Sequence, residues 1–80
     1  MHETRNTITL IKPAAMWRFM CERRITIAHA HKFLLTHGIE ISDPTLRNWF
    51  SEDAMRERGD NLPARWAEAE PVLARMVGQS

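Results

Sequence analysis

Residues 25–50 read ITIAHAHKFLLTHGIEISDPTLRNWF, and this stretch decides the fold. Thr26 is a good N-cap residue, because its hydroxyl group can accept a hydrogen bond from a free backbone N–H. Gly38 stands where a left-handed residue commonly releases the chain at a helix C-terminus. These two residues predict the start and the end of a first helix. Side chains at spacings of three and four give this helix one common face: Ala30, Phe33, Leu34 and His37.

A second helix follows a short connector in which Ile39 and Ile41 supply two apolar anchors. Ser42 or Asp43 can cap this helix. Pro44 falls in its first turn, where the missing N–H of proline costs nothing. The apolar stripe of the second helix is predicted to contain Leu46, Trp49, Phe50 and Ala54.

The opposite face of the second helix, which we expect to extend to about Glu57, is polar. Arg47 can read guanine and Asn48 can read adenine by paired hydrogen bonds in the major groove of DNA. Thr45 and Ser51 suit phosphates or thymine methyl groups. Two capped helices joined by a Gly-containing turn predict a helix-turn-helix unit over residues 26–57 that binds double-stranded DNA in a sequence-specific manner.

The pattern resembles the helix-turn-helix of the excisionase and MerR-like group of DNA-binding proteins, over about a third of the chain. The resemblance implies that the second helix, about Asp43 to Glu57, enters the major groove. It also implies a transcriptional regulator or a recombination directionality factor of a phage or other mobile element. The chain departs from the group at His31, where a second small residue is usual, and after Gly59, where helix replaces the β-hairpin wing. The resemblance is carried by Thr26, Ala30, Phe33, Leu34, Gly38, Ile39, Ile41, Ser42, Thr45, Leu46, Arg47 and Trp49.

Basic residues near the motif are candidates for phosphate contacts, which add affinity without sequence preference. These candidates are Arg23, Arg24, Lys32 and Arg56. Alternatively, Arg23 and Arg24 are surface charges that pair with Glu22 or Asp53. The formal net charge is only +1, so a nucleic-acid interface requires an uneven distribution of charge.

The segment before the motif predicts a supporting arm and helix. Residues from Thr7 to Ile11 alternate polar and apolar side chains, which indicates either a short strand or an apolar arm over residues 1–11. Pro13 opens a helix that we expect to end near Arg23. This helix would be the first of a three-helix core.

The segment after the motif predicts a C-terminal helix over residues 62–77 that starts near Leu62 or Pro63. Pro71 is expected to kink this helix or to split it into two, because proline lacks a backbone donor and disfavours helical geometry at the preceding residue. Its apolar side either closes the core or forms a dimer seam: Trp66, Ala69, Leu73, Met76 and Val77. The predicted fold is therefore a single all-α domain over residues 1–80, a small helix-turn-helix bundle of four or five helices.

Composition excludes several other classes. A chain of 80 residues with 44% hydrophobic and 26% charged residues is globular. One cysteine, Cys21, cannot form an internal disulfide, and no stretch resembles a signal peptide or a membrane span, so we expect a cytoplasmic protein. His29 and His31 point to different faces of one helix, which argues against a metal site. No cofactor is expected, and a chain with so little room for a cleft is not expected to be an enzyme.

In addition to DNA, the sequence leaves open two kinds of protein partner. A domain of this size buries only about 60% of its unfolded surface, so a homodimer would add useful burial. The alternative function is a small helical protein–protein interaction or inhibitor module on a helix-turn-helix scaffold. Its basis is the near-neutral charge together with three Trp and five Met residues, which suit interfaces. An exposed apolar patch formed by Trp66, Leu73 and Met76 would favour it.

Overall fold

Five helices and the turns between them make up the structure, a computed structural model that describes residues 10–78. No strand occurs in this range, which confirms the prediction of a small all-α bundle of four or five helices. The segment from Thr7, for which a strand or an arm was predicted, lies outside the described residues except for Leu10 and Ile11, which have no regular secondary structure. The helices are α1 (Pro13–Glu22), α2 (Ile27–Thr36), α3 (Asp43–Trp49), α4 (Glu52–Arg58) and α5 (Trp66–Met76).

The N-termini of α2 and α3 follow the predicted caps. The Thr26 hydroxyl accepts a hydrogen bond from the backbone N–H of His29 at 3.1 Å. Ser42, rather than Asp43, caps α3 by accepting from the backbone N–H of Thr45 at 3.3 Å. Each hydroxyl satisfies a donor that has no partner inside its helix.

The connector between α2 and α3 is fixed by the end of α2. Gly38 has φ +80°, and the N–H of Ile39 returns to the carbonyl of Leu34 at 2.9 Å. This is a Schellman motif, in which a left-handed residue reverses the chain at the helix end. Ile39 and Ile41 are both buried, as predicted, so the connector is held to the core at two points.

The prediction of one continuous second helix, from about Asp43 to Glu57, is wrong, because this segment forms two helices. Helix α3 ends at Trp49, and Phe50 and Ser51 leave helical geometry before α4 begins at Glu52. The Ser51 hydroxyl accepts from the backbone N–H of Ala54 at 3.4 Å. Ser51 therefore starts a new helix as its N-cap, and the acidic residues that follow favour a helix N-terminus.

The C-terminal helix also differs from the prediction. Helix α5 begins at Trp66, later than Leu62 or Pro63, and Pro71 lies inside it without splitting it. Proline removes the hydrogen bond that the carbonyl of Ala67 would accept. Because Ala67 and Pro71 are both exposed, water can bond that carbonyl, and the helix continues.

The core lies where α5 and α3 pack against α2. Trp66 and Leu73 are fully buried and Met76 is partly buried, so the apolar side of α5 closes the core within one chain. The buried apolar residues come from four helices, from the connector and from the residues that directly follow α3 and α5: Met16, Met20, Ala30, Leu34, Ile39, Ile41, Leu46, Trp49, Phe50, Trp66, Ala69, Leu73, Ala74 and Val77.

Trp66 joins three parts of the chain. Its ring meets the rings of Trp49 and Phe50 edge-on, at centroid distances of 5.4 and 6.0 Å. Its indole Nε1–H donates to the carbonyl of Ile11 at 2.9 Å. The buried carboxylate of Glu70, one turn further along α5, accepts from the N–H of Ile11 at 3.0 Å. Both backbone groups of Ile11 are thus satisfied by α5.

We predict that Trp66→Phe lowers the free energy of unfolding by about 2 to 3 kcal/mol. The change leaves the Ile11 carbonyl unpaired and opens a cavity beside Trp49. Urea denaturation followed by circular dichroism measures the loss. Trp17→Phe is the matched control at a half-buried site, and we expect it to cost less than about 1 kcal/mol. Equal losses in the two variants would contradict the role given to Trp66.

Candidate nucleic-acid interface

The exposed face of α3 contains the residues that the sequence assigns to base recognition. Leu46 and Trp49 anchor the opposite side and are 0% and 3% exposed. Because a helix turns by about 100° per residue, Arg47 and Asn48 both lie on the side away from these anchors, and Thr45 lies beside Asn48, nearer to the core. All three polar residues are exposed. Helix α3 therefore has a buried back and a polar front.

Thr45 also belongs to the first turn of α3. Its hydroxyl oxygen lies 2.8 Å from the hydroxyl oxygen of Ser42, so the two groups share a hydrogen bond. A hydroxyl group can donate one hydrogen bond and accept others. Thr45 thus keeps hydrogen-bonding capacity toward a ligand while its side chain is held in one orientation.

Arg47 is paired with an acid on the same helix. Its Nε donates to Oδ2 of Asp43 at 2.6 Å, and the two side chains are 65% and 39% exposed. Exposed pairs at this spacing contribute only about 0.3 to 0.5 kcal/mol to stability, since water screens them. The pair therefore matters more for the orientation of Arg47 than for folding.

Ser51 and Arg56 do not lie on α3, the helix that carries Thr45, Arg47 and Asn48. Ser51 is half-buried and caps α4 by accepting a hydrogen bond from the N–H of Ala54. Ser51 and Asn48 are three residues apart in the sequence, but they do not lie on one continuous helix. Arg56 lies on α4, where its Nη1 is 3.4 Å from Oδ1 of Asp53. The structure thus brings Thr45, Arg47 and Asn48 together and assigns the other two residues to a separate element.

The basic residues near the start of the unit differ in their surroundings. Arg23 lies over the ring of Phe19 at 5.5 Å from its centroid and is 3.5 Å from the carboxylate of Glu22. The predicted alternative pairing of Arg23 with Glu22 is therefore present. Arg24 and Lys32 are exposed and form no ion pair with another residue of the described range.

Arg24 adopts a left-handed backbone conformation, with φ +57°. It ends α1 in a second Schellman motif, in which the N–H of Ile25 returns to the carbonyl of Met20 at 2.8 Å. Glycine is the usual residue at this position, because a side chain there has a steric cost. The chain thus carries a cation where backbone geometry alone would favour glycine.

Two arginines that the sequence analysis did not single out hold the backbone around α3. Arg58 Nη2 donates to the carbonyl of Trp49 at 2.6 Å, at the end of α3. Arg65 Nη1 donates to the carbonyl of Glu40 at 2.7 Å, in the connector. Both contacts depend on the tertiary fold, so no local pattern in the sequence could have identified them.

The fold defines a small all-α protein in which α2, the connector and α3 form a helix-turn-helix unit. Comparison of the chain with protein-family models, with curated proteins and with solved structures finds no match. Within residues 10–78, no helix has the length and apolar character to cross a bilayer. In the same range, no three His, Cys, Asp or Glu side chains form a group that could hold a metal ion.

We predict that Arg24→Gly raises the free energy of unfolding by about 0.5 to 1 kcal/mol, because glycine adopts a positive φ without the steric cost of a side chain. Thermal denaturation measures the change. Arg24→Ala removes the same charge but keeps a Cβ atom, and we expect its stability to stay close to that of the wild type. A glycine variant less stable than the alanine variant would contradict the left-handed conformation.

Proposed function

We propose that the protein binds double-stranded DNA in a sequence-specific manner through the exposed face of α3. The proposal rests on the polar front formed by Thr45, Arg47 and Asn48 on a helix whose back is buried against the core. Arginine and asparagine are the side chains that pair bidentately with guanine and adenine, respectively. A rigid helix is a suitable support, because it fixes the distance between them.

We further propose that this binding serves transcriptional regulation or excisionase-type recombination control. The support for this step is the resemblance of residues 26–49 to the excisionase and MerR-like group. In both roles a small protein marks a short DNA site and brings other proteins or other copies to it. The proposal requires no cofactor and no reaction at α3.

The length of α3 limits how much sequence one copy can read. Seven residues span about 10 Å at 1.5 Å per residue, and successive base pairs are about 3.4 Å apart. A single α3 therefore reaches about three base pairs. Several copies on one DNA, as a homodimer or a cooperative array, would lengthen the site that is read.

Phosphate contacts would come from Arg23, Arg24 and Lys32. Each neutralised phosphate contributes a slope of about 0.9 to the dependence of log affinity on log salt concentration. Three such contacts give a slope of about 3 for each copy. This is a small electrostatic contribution, in keeping with the net charge of +1.

The alternative function, a small helical protein–protein interaction or inhibitor module, would be favoured by an exposed apolar patch. The patch that would favour it is not available, because Trp66 and Leu73 are fully buried inside one chain. Among the described residues, the exposed large apolar side chains are Leu35, on α2, and Leu62, in the loop before α5. DNA binding is therefore the function that the surface favours.

The first test is selection from a pool of random duplex DNA at two salt concentrations. We expect the wild type to enrich one short motif, with an affinity that falls as salt rises, because counterions compete for the phosphates. Arg24→Gly should bind all duplexes more weakly and lower the salt slope by about one. Failure to retain any duplex at low salt, together with stoichiometric capture of one protein, would overturn the proposal in favour of the alternative function.

Asn48→Ala tests direct readout by α3. We expect preference for one A·T pair in the selected motif to fall by roughly 10-fold, since the variant lacks the paired hydrogen bonds to adenine. Competition binding with duplexes altered at that pair measures the change. Asn61→Ala makes the same substitution at an exposed position outside the helices and should leave the preference unchanged. An identical motif for Asn48→Ala and the wild type would show that Asn48 does not read a base.

A further inference from the structure

Asp43 and Arg47 form an ion pair on the proposed reading face. The Nε of Arg47 donates to Oδ2 of Asp43 at 2.6 Å, whereas its two terminal nitrogens make no hydrogen bond with another described residue. We propose that Asp43 is a positioning residue that holds Arg47 for end-on recognition of a guanine. This inference rests on the proposed function and names the base that the site reads.

The donor geometry of the guanidinium group selects the base. A guanidinium group has five N–H donors in a fixed plane. With the Nε donor engaged by Asp43, the donors on the two terminal nitrogens stay available at the far end of the Arg47 side chain. Guanine presents two acceptors, O6 and N7, on its major-groove edge, and two parallel hydrogen bonds can reach both. Adenine presents one acceptor and one donor there, so a fixed Arg47 would oppose its amino group.

The carboxylate of Asp43 should act on affinity and on specificity in opposite directions. It reduces the rotamer freedom of Arg47 before binding, which lowers the entropic cost of forming the guanine contact. It also places a negative charge near the phosphates, which weakens attraction to any DNA. Removal of the charge should therefore raise affinity for unrelated DNA and lower discrimination for guanine. A residue that only supported the fold would lower both.

The chain contains a matched control for this pair. Asp53 and Arg56 on α4 have the same chemistry, but their closest atoms are 3.4 Å apart and their side chains are 93% and 71% exposed. This pair is looser and does not lie on α3. Asp53→Asn thus removes an equal charge without changing the orientation of Arg47.

The test measures binding of wild type, Asp43→Asn, Asp53→Asn and Arg47→Lys to the duplex selected from a random pool. Each guanine of that duplex is replaced in turn by 7-deazaguanine, which lacks the N7 acceptor, and each G·C pair by A·T. We expect the wild type to lose roughly 10-fold to 100-fold in affinity at one guanine. Arg47→Lys should lose this discrimination, because lysine lacks the planar fork.

Asp43→Asn should lower the guanine discrimination by about 2-fold to 10-fold and bind an unrelated duplex more tightly than the wild type. Asp53→Asn should leave the discrimination unchanged. Unchanged discrimination in Asp43→Asn, or an equal loss in Asp53→Asn, would overturn the inference while leaving sequence-specific DNA binding intact.

The scan of the wild type with 7-deazaguanine keeps the test decisive even where a variant folds poorly. If no guanine N7 affects binding of the wild type to its selected duplex, the inference is wrong and the proposed function stands. If the wild type retains no duplex at all, both fail together. Melting curves of the variants by circular dichroism confirm that the compared proteins are folded.

Discussion

Burial of Trp66 is the interaction on which the rest of the structure depends. A chain of this size has a thin core, so few residues can hold all of its elements together. The ring of Trp66 packs edge-on against Trp49 and Phe50, and its N–H fixes the carbonyl of Ile11. Contact with α5 therefore fixes the position of the buried face of α3. The same contact also fixes the direction of the polar front of α3, because the two faces of one helix cannot rotate relative to each other.

The second constraint is the length of α3, which is set by two serine caps. Ser42 caps α3 and Ser51 caps α4, so that α3 between them has only seven residues, or about two turns. At the C-terminus of α3, the side chain of Arg58 donates a hydrogen bond to the carbonyl of Trp49. A helix this short presents only a few side chains on its polar front. Residues beyond Phe50 belong to α4 or the chain after it and therefore cannot extend this polar front.

Local signals in the sequence predicted the helix ends that depend on local hydrogen bonds. Thr26, Ser42 and Gly38 act within a few residues of themselves, so their roles follow from residue type and spacing. The apolar pattern did not predict the break between α3 and α4 at Ser51. Apolar residues keep a helical spacing across this break: Leu46, Trp49, Phe50 and Ala54. The roles of Arg58 and Arg65 depend on contacts with Trp49 and Glu40 across the fold, and such contacts have no local pattern. The base contacts of α3 remain a prediction that the fold alone does not test.

Charge pairing explains how a nearly neutral chain could still bind DNA selectively. Arg47 and Arg56 each pair with an acidic residue on the same helix, and Arg65, which precedes α5, pairs with Glu68 of that helix. Pairing of this kind reduces general attraction to phosphates. Binding without sequence preference comes almost entirely from that attraction. A protein with few phosphate contacts therefore has weak affinity for most DNA, and its specificity depends on the base contacts that it makes. Because one α3 in the proposed complex would reach only about three base pairs, useful affinity would then require several copies bound side by side.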